Sequence, residues 1–589
     1  MKMESNTPPP REDSMTTATP LGNVVTRLFF GAITGMGALA VLIPASHPAM
    51  AQSRGPAALA GAVSSPEEGK MEGVVVSAKR PGSNIMVSVS TNAQGQYSFP
   101  QDRLAPGAYD ITIRAIGYTL APTAATVQSG GATQLDLTLA KAAPDVLALQ
   151  MSNSEWMQSA PGTTRQKFAT LRCLDCHGFQ RPFFSKKDAA GMAYTVQRMT
   201  AHTANASPNY PFFLQNASEI MSTPPSKGQA ELGAYLASIN LSSGETWPYQ
   251  LHTQPRPTGK STQAIITTYD LPDQAAPHDT MLDKAGNVWF SDFQHQFISK
   301  LDPATGKVTR YPVPISKPGF PTGSLMITMD KDGNIWEAMM GQAQIAKLDP
   351  KTEKVSIFLA PDWDKGDTRF TMIDALHSNV DGKLWTKTNG GPDPGHPNKL
   401  YQFDLATEKF HEVLPPAGER DIAAYGMISD LDNNVYGLDN NPDQRHIWRT
   451  DAKTGETTYI ELPLGVGGGR RGHIDSQNRL WFSQFHANRY AVYDPRSGKV
   501  AAWEVPVAFA GAYDVQYDDA KYAWGADMST DLVQRLDVET GEWSSYLLPT
   551  SINTRHIDVQ KSSNPGVLSS MWTEGQQTGK LVHIEPLAP

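Results

Sequence analysis

The residues best equipped for chemistry in this 589-residue chain include its only two cysteines, which stand three apart in Cys173-Leu174-Asp175-Cys176-His177. Two thiols at this spacing can each form a thioether with one vinyl group of a haem, while the adjacent imidazole reaches the iron from one face. A zinc site would ask for further ligands, usually a second Cys pair or two His at short spacing, and none follows. The motif therefore predicts one covalently bound haem c, held by Cys173, Cys176 and His177. With no other cysteine, a structural disulfide framework is excluded.

The stretch that must position this motif, residues 150–242, shows helical spacing around Phe168 and Leu171, over 192–199 and over 230–236. Together with the motif, these segments resemble a class I cytochrome c domain. That resemblance implies a second iron ligand, a Met sulfur from a loop ahead of the final helix. Ile220-Met221-Ser222-Thr223-Pro224-Pro225 occupies that place, so His177 and Met221 are the expected metal-binding pair. Met192 and Met199 read as core residues on a shared helical pattern, and His202 is a rival, because a second imidazole also closes the site. A haem closed on both faces moves electrons and does not bind oxygen.

A second group of candidates lies in residues 265–586, where an Asp-x-x-Gly-Asn-Val-Trp-Phe repeat recurs. Its aromatic anchors are Trp289, Trp336, Trp385, Tyr436, Trp481, Trp524 and Trp572, spaced 43 to 51 residues apart. This is the period of propeller blades, and seven anchors predict seven blades. Thr267-Thr268-Tyr269-Asp270-Leu271-Pro272 precedes the first anchor and is expected to complete the last blade, closing the ring. Eleven positions before the anchors stand His278, Leu325, Asp374, Tyr425, Arg470 and Tyr513, with His556 at the matching point of the longer last repeat. So polar a set predicts a channel mouth that binds an organic small molecule, with His556 as a base and His278 and Tyr425 as positioning groups.

Gly286-Asn287-Val288-Trp289-Phe290-Ser291 and Gly333-Asn334-Ile335-Trp336 resemble the repeats of virginiamycin B (streptogramin) lyase. That family's activity, a C–O elimination on a cyclic ester, implies a histidine base and a divalent cation held by carboxylates. His556 matches the base. Thr554 and Tyr513 stand where a metal-binding Glu and a second His are implied, and Glu574 is offset. The propeller is accordingly expected to work without a divalent cation, and Arg555 beside the site suits a carboxylate or phenolate. Asp302-Pro303-Ala304-Thr305-Gly306-Lys307 resembles quinoprotein dehydrogenase blades, but those propellers have eight. The Gly-rich run 465–469 reads as a loop between blades or an anion cradle, and His396, His446 and His486 lack metal-ligand spacing.

Residues 70–140 alternate apolar and polar positions between turn signals, the pattern of a small antiparallel β-sandwich. Gly95-Gln96-Tyr97-Ser98-Phe99, Pro106-Gly107-Ala108-Tyr109 and Gly117-Tyr118 resemble a carboxypeptidase regulatory-like (transthyretin-like) domain, which implies a scaffold without chemistry. A linker is expected over 242–264. Arg27, the apolar stretch after it and Pro48-Ala49-Met50-Ala51 read as an export signal over 1–51, with Met15 a second possible start and a membrane anchor the competing reading.

The chain is thus expected to be mainly β: a β-sandwich, an α-helical cytochrome c domain and a seven-bladed β-propeller. A formal charge of −9 excludes nucleic acid as a partner, and no later segment is apolar enough to span a membrane. The function expected is that of a periplasmic oxidoreductase or electron-transfer protein serving a periplasmic electron carrier. A lyase acting on a cyclic ester and a non-catalytic binding scaffold are the alternatives.

Overall fold

The computed structural model describes residues 56–588, apart from residues 367, 390–397, 417, 418, 420, 421, 423, 464, 466 and 563–566. The export signal expected over 1–51 and His396 lie outside the described residues. No helix among the described residues is long and apolar enough to cross a membrane.

The repeats fold as blades of antiparallel strands. Six are four-stranded sheets in sequence order, the first made of Pro277–Leu282, Val288–Asp292, Phe297–Asp302 and Lys307–Pro312. The repeat's Asp explains why the motif recurs. Asp283 accepts hydrogen bonds from the Ala285 and Asn287 amides, closing the turn, and from the Trp289 indole at 3.0 Å, fixing the anchor. Asp330 and Asp475 hold Trp336 and Trp481 in the same way, each at 2.9 Å. The turn needs a left-handed residue, which is Gly286 (φ 85°) in blade one and Asn433 (φ 65°) in blade four.

The seventh blade is composite. Its strands Ile557–Gln560, Ser570–Gly575 and Lys580–Pro586 are completed by Ala264–Asp270, which pairs with the last of them from Ala264↔Pro586 to Asp270↔Lys580. The sheet does not stop there. The other edge of Ala264–Asp270 pairs with Ile85–Ser90 of the small β domain, and the order continues through Val75–Lys79, Gly107–Arg114 and Thr123–Val127, giving eight strands. The second layer of the small domain is built on Ala57–Ser65, so the sandwich begins earlier than position 70. Ala57–Ser65 is Ala-rich and lacks the β-branched alternation by which a strand is read from sequence.

Between sandwich and propeller lie the helices Pro144–Gln150, Asn153–Ser159, Thr164–Thr170, Ala189–Thr200, Ala217–Ser222 and Lys227–Ile239, with shorter turns between them. Gly233 brings the helix Lys227–Ile239 against Ala193 of Ala189–Thr200, so closely that an added Cβ would stand 2.5 Å from the Ala193 nitrogen. The helical segment is not an independent body. Leu171, Leu174 and Tyr235 share one hydrophobic cluster with Phe485, Tyr513 and Met528 of the propeller. Ser154 donates its amide to the Ser529 carbonyl (2.7 Å) and its hydroxyl to that of Ala508 (2.6 Å). The expected linker is also packed: the Trp247 indole donates to the Phe183 carbonyl at 3.0 Å and the Tyr249 hydroxyl to that of Ile239 at 2.6 Å. Its Ser, Thr and Pro content disguised these aromatic anchors.

Candidate functional site

Three elements set the position of the cysteine motif. Thr163 and Gln166 form a reciprocal cap on the helix Thr164–Thr170, which runs into the tight turn Leu171–Asp175. The amides of Cys176 and His177 then both donate to the Cys173 carbonyl, at 3.3 and 3.1 Å. This folded loop places Cys173, Cys176 and His177 on a single cavity of about 730 Å³. Helix Ala189–Thr200 and the segment after it add Met192, Met199 and His202 to the same cavity. Arg181, Lys187 and Arg198 line it as well, and no Asp or Glu does.

The donor set fits a haem. Burial, with Asp175 adding to it, pushes the Cys173 thiol up to about 12 and that of Cys176 up to about 11, so both side chains are held as protonated thiols. Burial lowers the His177 imidazole below its ordinary value and keeps it neutral. Its Nδ1 lies 3.0 Å from the Gly178 carbonyl, which holds a proton there and leaves the Nε2 lone pair for a metal. His202 is arranged alike, with Nδ1 2.9 Å from the Arg198 carbonyl. Met192 is buried, and its sulfur accepts a hydrogen bond from the Ser185 hydroxyl. The three cations, unopposed by carboxylates, match the two propionates that a haem carries.

Met221 does not take the place expected for it. It sits in Ala217–Ser222, a helix with no buried residue, and is not among the residues lining the cavity. The reason is Gln197, whose amide nitrogen donates to the carbonyls of Ile220 (2.9 Å) and Thr223 (2.5 Å). Those bonds tie the segment's backbone to the neighbouring helix and leave Met221 off the wall.

The motif loop also caps the propeller channel. Leu174 is fully buried, and its carbonyl accepts from Asn553 Nδ2 (3.2 Å), Arg555 Nη2 (3.2 Å) and Gln577 Nε2 (2.8 Å). Arg555 Nη2 also donates to the Asp175 carbonyl at 3.1 Å, and Arg470 stands 3.9 Å from the Asp175 carboxylate. The residues expected to surround an open mouth therefore lie beneath a lid. His278 and Tyr513 are fully buried, and Arg470 is 5% exposed. The Tyr425 and Tyr513 hydroxyls bond to each other, and Tyr513 reaches His278 Nε2 at 3.3 Å. Burial drives the His278 imidazole down to about 3 despite its bond to Asp279 (2.6 Å), so it is a neutral, positioned group. Burial raises the Tyr425 phenol, but Arg470, Arg471 and Arg555 outweigh it and bring it below its usual range.

Each inner strand enters at this capped end and leaves at the other, where a cavity of about 400 Å³ opens. Met281, Met326, Met329, Met372 and Met427 line it, and its rim carries the exposed Leu376 and Leu431. His556 belongs here and is separated from His278. Its Nδ1 receives the Thr280 amide at 3.4 Å, and its Nε2 is 3.8 Å from Asp514 Oδ2. The same carboxylate oxygen lies 3.1 Å from His473 Nε2. His473, Asp514 and the five methionines were not singled out from the sequence. The five methionines stand 8, 10, 7, 13 and 9 positions before their blade anchors, so no common register marks them.

The positions at which the lyase resemblance implies metal ligands are engaged otherwise. The Thr554 hydroxyl donates to the Asp527 carbonyl at 2.9 Å. Glu574 accepts the His556 amide at 3.1 Å, and burial pushes its carboxyl well above the usual range.

No curated protein matches the chain. Among solved structures, the propeller is similar to virginiamycin B lyase from Staphylococcus aureus, with 17% identity and a TM-score of 0.45 over 55% of this chain and 99% of that one. A streptogramin B lyase gives 18% identity and a TM-score of 0.45 over 55% and 97%. Regucalcin from Agrobacterium tumefaciens, a calcium-binding protein, gives 16% identity and a TM-score of 0.34 over 48% and 96%. In sequence, residues 58–140 match the family model described as the carboxypeptidase regulatory-like domain.

Proposed function

We propose that this chain is an exported, periplasmic c-type cytochrome fused to a ligand-binding propeller, and that it acts as an oxidoreductase or electron-transfer protein. The observation that carries this reading is the cavity itself. Both thiols and the His177 imidazole face it together with Met192, Met199 and His202, and every charged lining residue is a cation. Cys173 and Cys176 would hold the haem covalently and His177 from one face. For the second face we choose His202, whose Nδ1 bond to Arg198 leaves Nε2 available, in place of Met221. When bound, such a haem supplies a one-electron carrier. The chain's own contribution is to shield it, to neutralise its propionates with Arg181, Lys187 and Arg198, and to connect it to the channel through Arg555, which touches both the motif loop and His278. An organic molecule in the channel cavity would be the electron source and a periplasmic carrier the acceptor.

The test is the visible spectrum and haem staining of the exported protein after denaturation. Haem should migrate with the native chain, and staining should fall sharply in Cys176→Ala while the propeller stays folded. Unchanged staining in that variant overturns the reading. Elimination chemistry is the weaker reading, because Glu574 and Thr554 already serve structural bonds. Activity on a cyclic ester that disappears with magnesium removal and returns with it would restore the lyase.

A further inference from the structure

His473, Asp514 and His556 come from three different blades and bring their ligand atoms within 4.8 Å of one another. Around a tetrahedral zinc-like ion with bonds of about 2.1 Å, neighbouring ligand atoms stand about 3.4 Å apart. The distances here, 3.1 Å from His473 Nε2 to Asp514 Oδ2 and 3.8 Å from His556 Nε2 to the same oxygen, bracket that value. Asp514 is fully buried, whereas the His473 and His556 side chains are 20% and 12% exposed and line the 400 Å³ cavity. Access therefore comes from the cavity side alone.

The local charge balance is also short of a cation. Arg471 is committed to Asp279 at 2.5 Å. Among the described residues, no Lys or Arg forms an ion pair with Asp514, nor with Asp558, a half-buried carboxylate on the strand that follows His556. Two carboxylates facing two imidazoles fit a dication.

We propose that His473, Asp514 and His556 bind one divalent transition ion of the zinc type, with its open position facing the methionine-lined cavity. Two imidazoles and one carboxylate select a borderline ion such as zinc over magnesium, which prefers an all-oxygen shell. Three protein ligands leave a position for water or for an anionic oxygen of an organic ligand. Ligation has to exchange the long Thr280 amide contact to His556 Nδ1 and the His473 Nε2 bond to Asp514 Oδ2. This ion is distinct from the hard cation of the lyase resemblance, which uses other positions, and the proposal does not depend on the haem reading.

The experiment is equilibrium dialysis of the chelator-stripped, full-length protein against zinc, followed by metal analysis. One equivalent of zinc per chain is expected in the native protein and also in Cys173→Ala/Cys176→Ala, which removes the other soft-ligand cluster. His473→Ala and His556→Gln should each weaken binding by at least about 100-fold, with circular dichroism confirming the fold. Either variant suffices if the other fails to fold. Zinc binding that is absent, that survives in the histidine variants, that vanishes with the cysteines, or that equimolar magnesium displaces would overturn the assignment.

Discussion

Replacing Arg555 with alanine should loosen the motif loop from the propeller by a calculable amount. The guanidinium makes four hydrogen bonds: Nε to Asn553 Oδ1 (3.0 Å), Nη1 to His278 Nε2 (3.3 Å), and Nη2 to the carbonyls of Leu174 (3.2 Å) and Asp175 (3.1 Å). Only the last two cross to the loop. A hydrogen bond from a charged group contributes about 1.5–3 kcal/mol, and these are at the long end of the range, so about 3 kcal/mol is expected for the pair. The Leu174 carbonyl keeps Asn553 and Gln577 as donors, which lowers the loss toward 2 kcal/mol. At about 1.4 kcal/mol per tenfold, the loop should open roughly 30- to 100-fold more often. Amide hydrogen exchange reads this directly, because the Cys176 and His177 amides are protected by the Cys173 carbonyl. Arg555→Lys should recover only part of the protection, since one ammonium cannot reproduce the fork. Unchanged exchange in Arg555→Ala, or full rescue by lysine, would refute the view that this guanidinium clamps the loop.

Two further outcomes follow from the geometry. On the proposed haem reading, His202→Ala should change the oxidised haem spectrum and shift the potential, whereas Met221→Ala should leave both unaltered; the opposite pattern would return the ligand role to Met221. The Asp527 carboxyl, pushed up to about 7 by burial, keeps its proton in the folded chain while the unfolded chain loses it near 3.8. The unfolded state thus binds fewer protons between about pH 4 and 7, and the carboxyl's contribution to stability falls by about 1.4 kcal/mol per pH unit across that window. Asp527→Asn should remove this slope while still accepting the Tyr490 hydroxyl bond. Its advantage over the native chain should therefore grow by about 2–3 kcal/mol from pH 5 to pH 7 and then level off. Urea unfolding across pH 5–8 checks this, and a difference independent of pH would contradict it.

What could be read in advance was whatever repeats or is local. The blade anchors announce themselves because in three blades one Asp holds both its own turn and the indole six residues on, as with Asp283 and Trp289. The cysteine motif stands out because it is contained in five residues. The docking of Leu174 against residues 553–577 left no trace in the sequence, since it joins positions almost 400 apart in surfaces of ordinary composition. Counting back from the anchors brought together His278, Tyr425, Arg470 and Tyr513, but it also picked His556, which stands at the other cavity, and burial beneath the motif loop cannot be counted. Met221 was chosen by its proximity to Pro224, a rule blind to the Gln197 bonds that hold its backbone elsewhere. The methionine wall arises from five unmatched register positions and exists only once the ring has closed.

That closure has a consequence for how the chain is made. During vectorial synthesis the small domain emerges before the propeller, and its strand Ile85–Ser90 waits with one edge unpaired until Ala264–Asp270 arrives. Ala264–Asp270 then keeps its own far edge open until the final strand, Lys580–Pro586, is delivered. The nascent chain therefore carries a sticky strand edge from the making of Ile85–Ser90 until that of Lys580–Pro586. Any factor that guards this edge acts on Ala264–Asp270 while it waits for Lys580–Pro586, and a chain truncated before Lys580 would be born with the edge permanently exposed.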